Sequence, residues 1–386
     1  MLIELPRDQF YRLRPLLPQP CLHLAVESSL AGETPARAFV DQLFDPRSAM
    51  LWAGHHAYLA GELDDPDWQA ELNHLITEPP PAQAGVEMLE VFPITLPTGP
   101  DGGSPGTGLP GPAIDAAFER ILAGLDPLQD RREIYTGGTA EIAAQAEPAL
   151  LPPGLRLAPV DRQLLAGERL GHLDELKDEM VSERPSVEDF LAKSFGVALV
   201  DEAANTLAGW CLSEYNLPGR CEVGIATAEA YQRRGLATAM GRALAAEAKE
   251  RGIHTLGWHC FASNVASSAT ARKIGLKLAA VYPVYYFWYQ PAVNLAVHGL
   301  QALREGRYAE ALAWSTRSLG HAGAPPLADW SAGCACARLG KPAEAMQHLA
   351  GAIAKGFTDI TIFETSPHLD SLRGEARWAA LMESLL

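Results

Sequence analysis

No apolar run in this chain of 386 residues approaches the ~20 residues that a membrane-spanning helix needs, so a bilayer-embedded protein is not expected. Positive charge is also in short supply. Lys and Arg number 31 against 47 Asp and Glu, a formal net charge of −16. That balance argues against nucleic acid as a partner and mildly favours a cationic substrate such as an amine. Cysteine is sparse and scattered, with six residues at 21, 211, 221, 260, 334 and 336. The spacing gives no disulfide framework and fits reduced thiols in a cytoplasm. Cys334 and Cys336 lie in an alanine-rich helical stretch, where i and i+2 face apart, so packing explains them. The opening Met1-Leu2-Ile3-Glu4-Leu5-Pro6-Arg7 lacks a basic segment followed by a long apolar one, and secretion is not expected. His55-His56 is the one histidine pair that invites a metal. Neighbours on a strand point to opposite faces and no Cys/His cluster accompanies them, so the expectation is no metal.

The composition is that of a folded protein, 48% hydrophobic and 20% charged, and the length implies two or three domains. In the first third, Ala38-Phe39-Val40 and Ala49-Met50-Leu51-Trp52 read as strands around an Asp45-Pro46 turn, with Ala57 to Gly61 extending the sheet. Trp68, Leu72, Leu75 and Ile76 carry helical spacing, as do Phe118, Ile121, Leu122 and Leu125 in a helix over 114–125. Between these helices, Pro97 to Pro112 is dense in Gly and Pro and reads as a loop. Pro148 to Pro159 reads as a linker. Beyond it come a strand at 155–158, one helix over 161–180 and another over 186–193, the latter opened by Ser186-x-x-Asp189. A hairpin of 196–200 and 207–213 follows. From Val293 the texture becomes alanine-rich. Gly306-Arg307-Tyr308-Ala309-Glu310-Ala311-Leu312 recurs as Gly340-Lys341-Pro342-Ala343-Glu344-Ala345-Met346, a period of 34 residues with the tetratricopeptide spacing.

The most informative stretch runs from Cys221 to Leu276. Val223 and Ile225 alternate as in a strand, and Leu236, Met240, Leu244 and Ala248 then mark one face of a helix that ends at Arg251-Gly252. Between them lies Tyr231-Gln232-Arg233-Arg234-Gly235-Leu236-Ala237-Thr238. A glycine where a helix opens leaves several backbone N–H groups pointing outward at the positive end of the helix dipole, and two arginines add charge. That is an anion site suited to a phosphate-bearing ligand.

Gln232-x-x-Gly235-x-Ala237 resembles the signature with which GNAT acetyltransferases wrap the pyrophosphate of acetyl-CoA. A further segment, Asn264-Val265-Ala266-Ser267 to Lys273-Ile274-Gly275-Leu276, is similar to that family's second motif, with Leu276 in place of the usual aromatic. The likeness covers roughly residues 154–290. Trp258-His259-Cys260 and Tyr282-Pro283-Val284-Tyr285 make it similar to the two-lobed branch that contains the zwittermicin A self-resistance acetyltransferases.

The resemblance implies an α+β GNAT fold, a mixed central sheet flanked by helices. Its three parts would be a degenerate GNAT-like lobe over 1–150 that lacks the phosphate loop, a catalytic lobe over 151–291, and an all-α helical-repeat region over 292–386. It places Ile225, Ala226 and Thr227 along the pantetheine arm. Gln232, Arg233, Arg234, Gly235, Leu236, Ala237 and Thr238 would hold the pyrophosphate, and Asn264 and Ser267 would line the far side of the arm. Glu222, on the strand before the loop, is the expected base, with Glu214 in reserve. The position at which many members carry a tyrosine near the CoA sulfur is Ala271 here, and Tyr231, Tyr282 and Tyr285 are the substitutes to consider. The implied activity is direct, acetyl-CoA-dependent N-acetylation of a small-molecule amine, such as an aminopolyol antibiotic, or of a protein. The helical repeats would dock on the catalytic lobe, bind a protein partner or make a homodimer. The rival is a non-catalytic acyl-CoA sensor or scaffold.

Overall fold

The computed structural model describes residues 2–17, 23–80, 85–94, 112–145, 151–167 and 169–385. Nearly all of the 97–112 loop, the start of the 148–159 linker and Cys21 lie outside these residues. Among the described residues, twelve strands form one mixed sheet. They are β1 (Ile3–Leu5), β2 (Arg37–Val40), β3 (Ser48–Ala53), β4 (His56–Gly61), β5 (Met88–Ile94), β6 (Leu128–Gly138), β7 (Leu155–Pro159), β8 (Gly196–Asp201), β9 (Thr206–Leu217), β10 (Arg220–Thr227), β11 (Thr255–Phe261) and β12 (Lys277–Trp288). Their order across the sheet is β1-β2-β3-β4-β5-β12-β6-β11-β10-β9-β8-β7.

The topology is duplicated. In each half four strands pair antiparallel in succession, β1 to β4 and β7 to β10. A helix then leads to a parallel fifth strand: Pro66–Thr77 joins β4 to β5, and Leu236–Glu250 joins β10 to β11. A second helix, Pro112–Ile121 or Val265–Ile274, feeds the sixth strand. The sixth strands are exchanged. β12 lies against β5 of the first half and β6 against β11 of the second, which fuses the halves into one sheet. The fold is the mixed-sheet GNAT architecture with a degenerate first lobe.

The helix Leu236–Glu250 buries the stripe its sequence announces: Leu236, Met240, Leu244 and Ala248 are all in the core with Val223, Trp258, Ala271 and Ile274. Each larger side chain there contributes ~1.5–3 kcal/mol over an exposed one. The opposite face of β9 meets the first half, where Tyr215 packs with Leu24, Ala25, Tyr58, Phe92 and Val284. One expected element is broken. The single helix over 161–180 is two, Arg162–Leu165 and Leu173–Met180. Arg169 and His172 between them take left-handed backbone, at φ 65° and 59°, which no helix accommodates.

A second compact unit is built mainly on 286–386. Two helix hairpins follow each other, Pro291–Arg304 with Tyr308–Leu319 and Pro326–Arg338 with Pro342–Ala354. Gly306 and Gly340 sit at the two turns with φ 75° and 73°. Gly299 and Gly333 bring the paired helices into close approach, because a Cβ at either would strike Ser315 or Leu349. Cys334 and Cys336 are both fully buried in this unit's core beside Trp330, Leu349 and Phe363.

Candidate active site

The parallel pairing of β10 and β11 covers only four steps, from Arg220↔Thr255 to Val223↔Trp258. Both strands continue, β10 to Thr227 and β11 to Phe261, with β10 held by β9 and β11 held by β6. A wedge therefore opens after Val223. Cys221, Glu222 and Val223 below it are buried, while Gly224, Ile225, Ala226 and Thr227 along its edge are half-buried. A strand edge that leaves its parallel neighbour has backbone donors and acceptors to offer an extended ligand. The equivalent pair in the first half has no such gap, since β4 and β5 stay in register from His56↔Glu90 to Ala60↔Ile94.

The loop at the end of β10 closes on itself and turns its amides outward. Gln232 Nε2 donates to Thr227 O at 3.0 Å, tying loop to strand end. Arg233 has φ 60° and Gly235 φ 77°, two excursions separated by Arg234 that aim the chain into the helix. Gln232 to Gly235 are exposed, and no side chain caps the helix that Gly235 opens. A Cβ at Gly235 would meet nothing within 4 Å, so glycine is needed there for its left-handed backbone rather than for space. The corresponding helix of the first half is closed to anions. Its N-cap Asp65 accepts from the N–H groups of Asp67 and Trp68, placing a carboxylate where a phosphate would have to sit. Leu236 turns its side chain into the core, leaving only its backbone for a ligand, while Ala237 and Thr238 lie in the half-exposed first turn.

Across the wedge, Asn264 caps the helix Val265–Ile274 by accepting from Ser267 N–H at 3.1 Å. Ser267 Oγ in turn accepts from Trp258 Nε1–H at 3.1 Å. Ala271 is fully buried. Two of the tyrosines considered in its place are engaged elsewhere: Tyr231 donates to Asp201 Oδ2 at 2.9 Å and Tyr285 to Asp115 Oδ1 at 2.7 Å.

Carboxylates gather on the face of the sheet opposite this helix. A bulge between Glu222 and Val223 pairs Glu222 with Tyr215 but Val223 with Ser213, so Glu214 is the extra residue. Its carboxyl lies over Gly224, at the first open step of the wedge. A Cβ built on Gly224 would collide with Glu214 Oε1 and come within 3.4 Å of Glu179 Oε1. Glu214 keeps some accessible surface, but the protein packed around its carboxyl end raises its pKa well above the ordinary carboxylate range, helped by the charges of Glu183, Glu179 and Glu222. Burial also raises Glu179, and it lifts Glu183 to about 8 with help from Glu222, Glu179 and Glu90.

Glu222 sits one step lower, on the paired part of β10. One of its oxygens accepts from Leu24 N–H at 3.1 Å, and the other is 3.4 Å from His23 Nε2 and 3.9 Å from His259 Nδ1. None of these neighbours was legible in the sequence, because His23 and Glu222 are ~200 residues apart and meet only through the fold. His55 and His56 likewise depart from expectation. His55 lies in the turn before β4, so strand alternation does not separate the pair, and their rings are 3.9 Å apart. Both come near Glu90, which Arg132 holds through Nε at 2.8 Å and through a second nitrogen.

The sequence model of a family described as GNAT acetyltransferase matches residues 141–285. An uncharacterized N-acetyltransferase, YdfB of Bacillus subtilis (strain 168), is 31% identical over 137 residues, which is 35% of this chain and 49% of that protein. The chain thus spans about half the length of the curated relative it matches. Among solved structures, a GCN5-related N-acetyltransferase-like protein of Streptococcus suis 89/1591 superposes with a TM-score of 0.51 at 19% identity. The superposition covers 73% of this chain and 98% of the other, a likeness of fold. Residues 141–285 thus resemble the GNAT acetyltransferases in sequence, and the chain shares a GNAT fold; that family uses acetyl-CoA as co-substrate. No described helix is long and apolar enough to cross a membrane.

Proposed function

We propose that the protein transfers the acetyl group of acetyl-CoA directly to a primary amine, of a small molecule such as an aminopolyol or of a protein. The observation that carries this reading is the wedge after Val223, with an uncapped helix start below its mouth in the second half and neither feature in the first. The pantetheine arm would run along Ile225, Ala226 and Thr227. The pyrophosphate would rest on the Gln232–Thr238 loop, and Asn264 and Ser267 would flank the arm on the other side.

Of the two candidate bases, the geometry favours Glu214. Glu222 lies on the closed part of the strand pair with one oxygen given to Leu24 N–H, whereas Glu214 stands over the first open residue, Gly224. The acceptor binds beside Glu179, Glu183 and Glu214, where the charge of its ammonium form favours the ionised state of Glu214, and it gives one proton to solvent to become the free amine. The amine nitrogen then bonds to the thioester carbon while a strand N–H supports the oxyanion. The ammonium proton passes to Glu214 and the C–S bond breaks. With alanine at 271 and Tyr231 and Tyr285 committed elsewhere, the leaving thiolate is protonated by solvent or by Tyr282, the remaining tyrosine considered. A raised carboxyl pKa suits this role, because it makes the base stronger near neutral pH. The helical hairpins of 292–386 are assigned to tetratricopeptide-like contact with a protein partner or a second subunit.

The test is thiol release from acetyl-CoA across a panel of amines, with wild type, Glu214→Gln and Glu222→Gln compared and CoA binding measured by calorimetry. Turnover that Glu214→Gln lowers ~10²–10⁴-fold at unchanged CoA affinity supports the reading. Absence of CoA binding in wild type overturns it. CoA binding without turnover on any amine class would favour the sensor reading instead.

A further inference from the structure

The wedge rests on a buried cluster that acetyl transfer does not use. His23, at the N-terminus of the helix Leu24–Ala31, meets Glu222 of β10 and His259 of β11. One ligand atom from each lies within 4.8 Å of the others, and the three side chains are only 5%, 3% and 8% exposed. Two nitrogens of the cluster, His23 Nε2 and His259 Nε2, are buried without a hydrogen-bond partner. Buried imidazole nitrogens rarely stay unsatisfied, and leaving one so costs ~1–3 kcal/mol. The cluster's outer contacts are those of ligands already held in place. Tyr58 Oη bonds His23 Nδ1, which leaves Nε2 directed at Glu222. Leu24 N–H occupies Glu222 Oε2, which leaves Oε1 facing both histidines. A metal-bound histidine normally has its second ring nitrogen fixed as that of His23 is; the second nitrogen of His259, Nε2, has no such partner.

We propose that His23, Glu222 and His259 bind one divalent transition-metal ion, zinc by the nature of the donors, with water completing the coordination. Two imidazoles and a carboxylate suit zinc and are poor ligands for magnesium or calcium, which take oxygen donors. The histidine nitrogens lie 3.4 and 3.9 Å from Glu222 Oε1, and all three ligand atoms lie within 4.8 Å of one another, so shifts of about an ångström or less bring them to zinc distances of ~2.0–2.1 Å. The neighbouring group of His55, His56 and Glu90 is the weaker site, because Arg132 already neutralises its carboxylate. The ion would clamp the first-half helix to β10 and β11 just below the point where they part. Its ligands are therefore positioning residues for the wedge. This departs from the expectation that the chain holds no metal.

Untagged full-length protein, stripped with chelator, is titrated with Zn²⁺ against a chromophoric chelator and with Co²⁺ by visible absorption. The expected result is one equivalent per chain with a Kd below ~1 µM and the intense d–d bands of four-coordinate cobalt. His23→Gln, His259→Gln and Glu222→Gln should each weaken binding tenfold or more, and His55→Gln should leave it unchanged. Tyr58→Phe removes the hydroxyl that bonds His23 Nδ1 and should weaken binding ~10-fold, which decides the matter where a ligand variant fails to fold. Folded wild type that takes up no stoichiometric metal overturns the proposal, as does binding lost in His55→Gln or untouched by Tyr58→Phe and the ligand substitutions.

Discussion

Glu183 turns the crowding of carboxylates into a measurable dependence of stability on pH. Its side chain is buried, and its pKa is lifted to about 8 by that burial and by the charges of Glu222, Glu179 and Glu90, against 4.5 for an ordinary glutamate. The folded state therefore keeps a proton that the unfolded chain gives up. Below pH 4.5 both states are protonated and nothing is lost. Between 4.5 and 8 the native protein binds more protons than the unfolded one, so stability falls by ~1.4 kcal/mol per pH unit. Above 8 the loss is complete, at about 5 kcal/mol, of which about 4 kcal/mol falls between pH 5 and 9. Glu183→Gln keeps the shape and removes the titration. Urea unfolding of both proteins at pH 5, 6, 7, 8 and 9 isolates the effect as a difference. For a urea m-value of ~3 kcal/mol/M, the wild-type midpoint should fall by ~1.3 M relative to the variant across that range. A difference that stays constant with pH would show that Glu183 ionises normally, and the dry acidic pocket would then be wrong. The same group links to ligand, because an ammonium bound beside it stabilises the carboxylate and should shrink the wild-type slope.

Gly224→Ala places a methyl group where the Glu214 carboxyl now lies; because the obstacle is the end of a side chain, the fold should persist while turnover falls toward that of Glu214→Gln at unchanged CoA affinity. Gly235→Ala meets no atoms but must adopt φ 77°, so it should cost ~1–2 kcal/mol in thermal unfolding and weaken CoA binding measured by calorimetry. Glu90→Gln strands the buried Arg132 guanidinium and should destabilise by ~3–5 kcal/mol in urea, whereas replacing the pair together, Glu90→Leu with Arg132→Met, should recover most of that loss. Asp65→Ala removes the N-cap of Pro66–Thr77 at a cost of ~1 kcal/mol, and calorimetry should show no second CoA site opening in its place.

What the sequence made legible was local. The stripe of Leu236, Met240, Leu244 and Ala248 fixes a helix and its buried face without reference to the rest of the chain. Ser186 caps its helix through Asp189 N–H, as the spacing implies. The loop at 232–235 is marked by glycine and arginine because its chemistry lies in consecutive backbone units. Features set by long-range pairing or by a single irregular step left no such mark. One bulge between Glu222 and Val223 breaks strand parity and sets the carboxyl of Glu214 over Gly224. His55 escapes the alternation rule because it shares the turn with Gly54, at φ 55°, and β4 begins only at His56. His23 and His259 belong to different halves, and no spacing rule reaches across so much chain. The break at Arg169 and His172 is likewise silent, since Leu164, Leu165, Leu173 and Leu176 keep a plausible helical rhythm across it.

The exchanged sixth strands impose an order on synthesis. When β6 has left the ribosome, its place beside β11 does not yet exist, and the gap next to β5 must stay open for a strand that begins at Lys277. At ~5–20 residues per second, the ~140 residues between Gly138 and Lys277 take roughly ten to thirty seconds to emerge. Throughout that interval β5 presents an unpaired edge, rich in Leu, Val, Phe and Ile, and β6 is the nearest strand able to fill it wrongly. The nascent first half therefore faces a choice between a premature six-stranded sheet and waiting. A β6 paired with β5 would have to let go before β12 could take its place there and before β6 could reach β11.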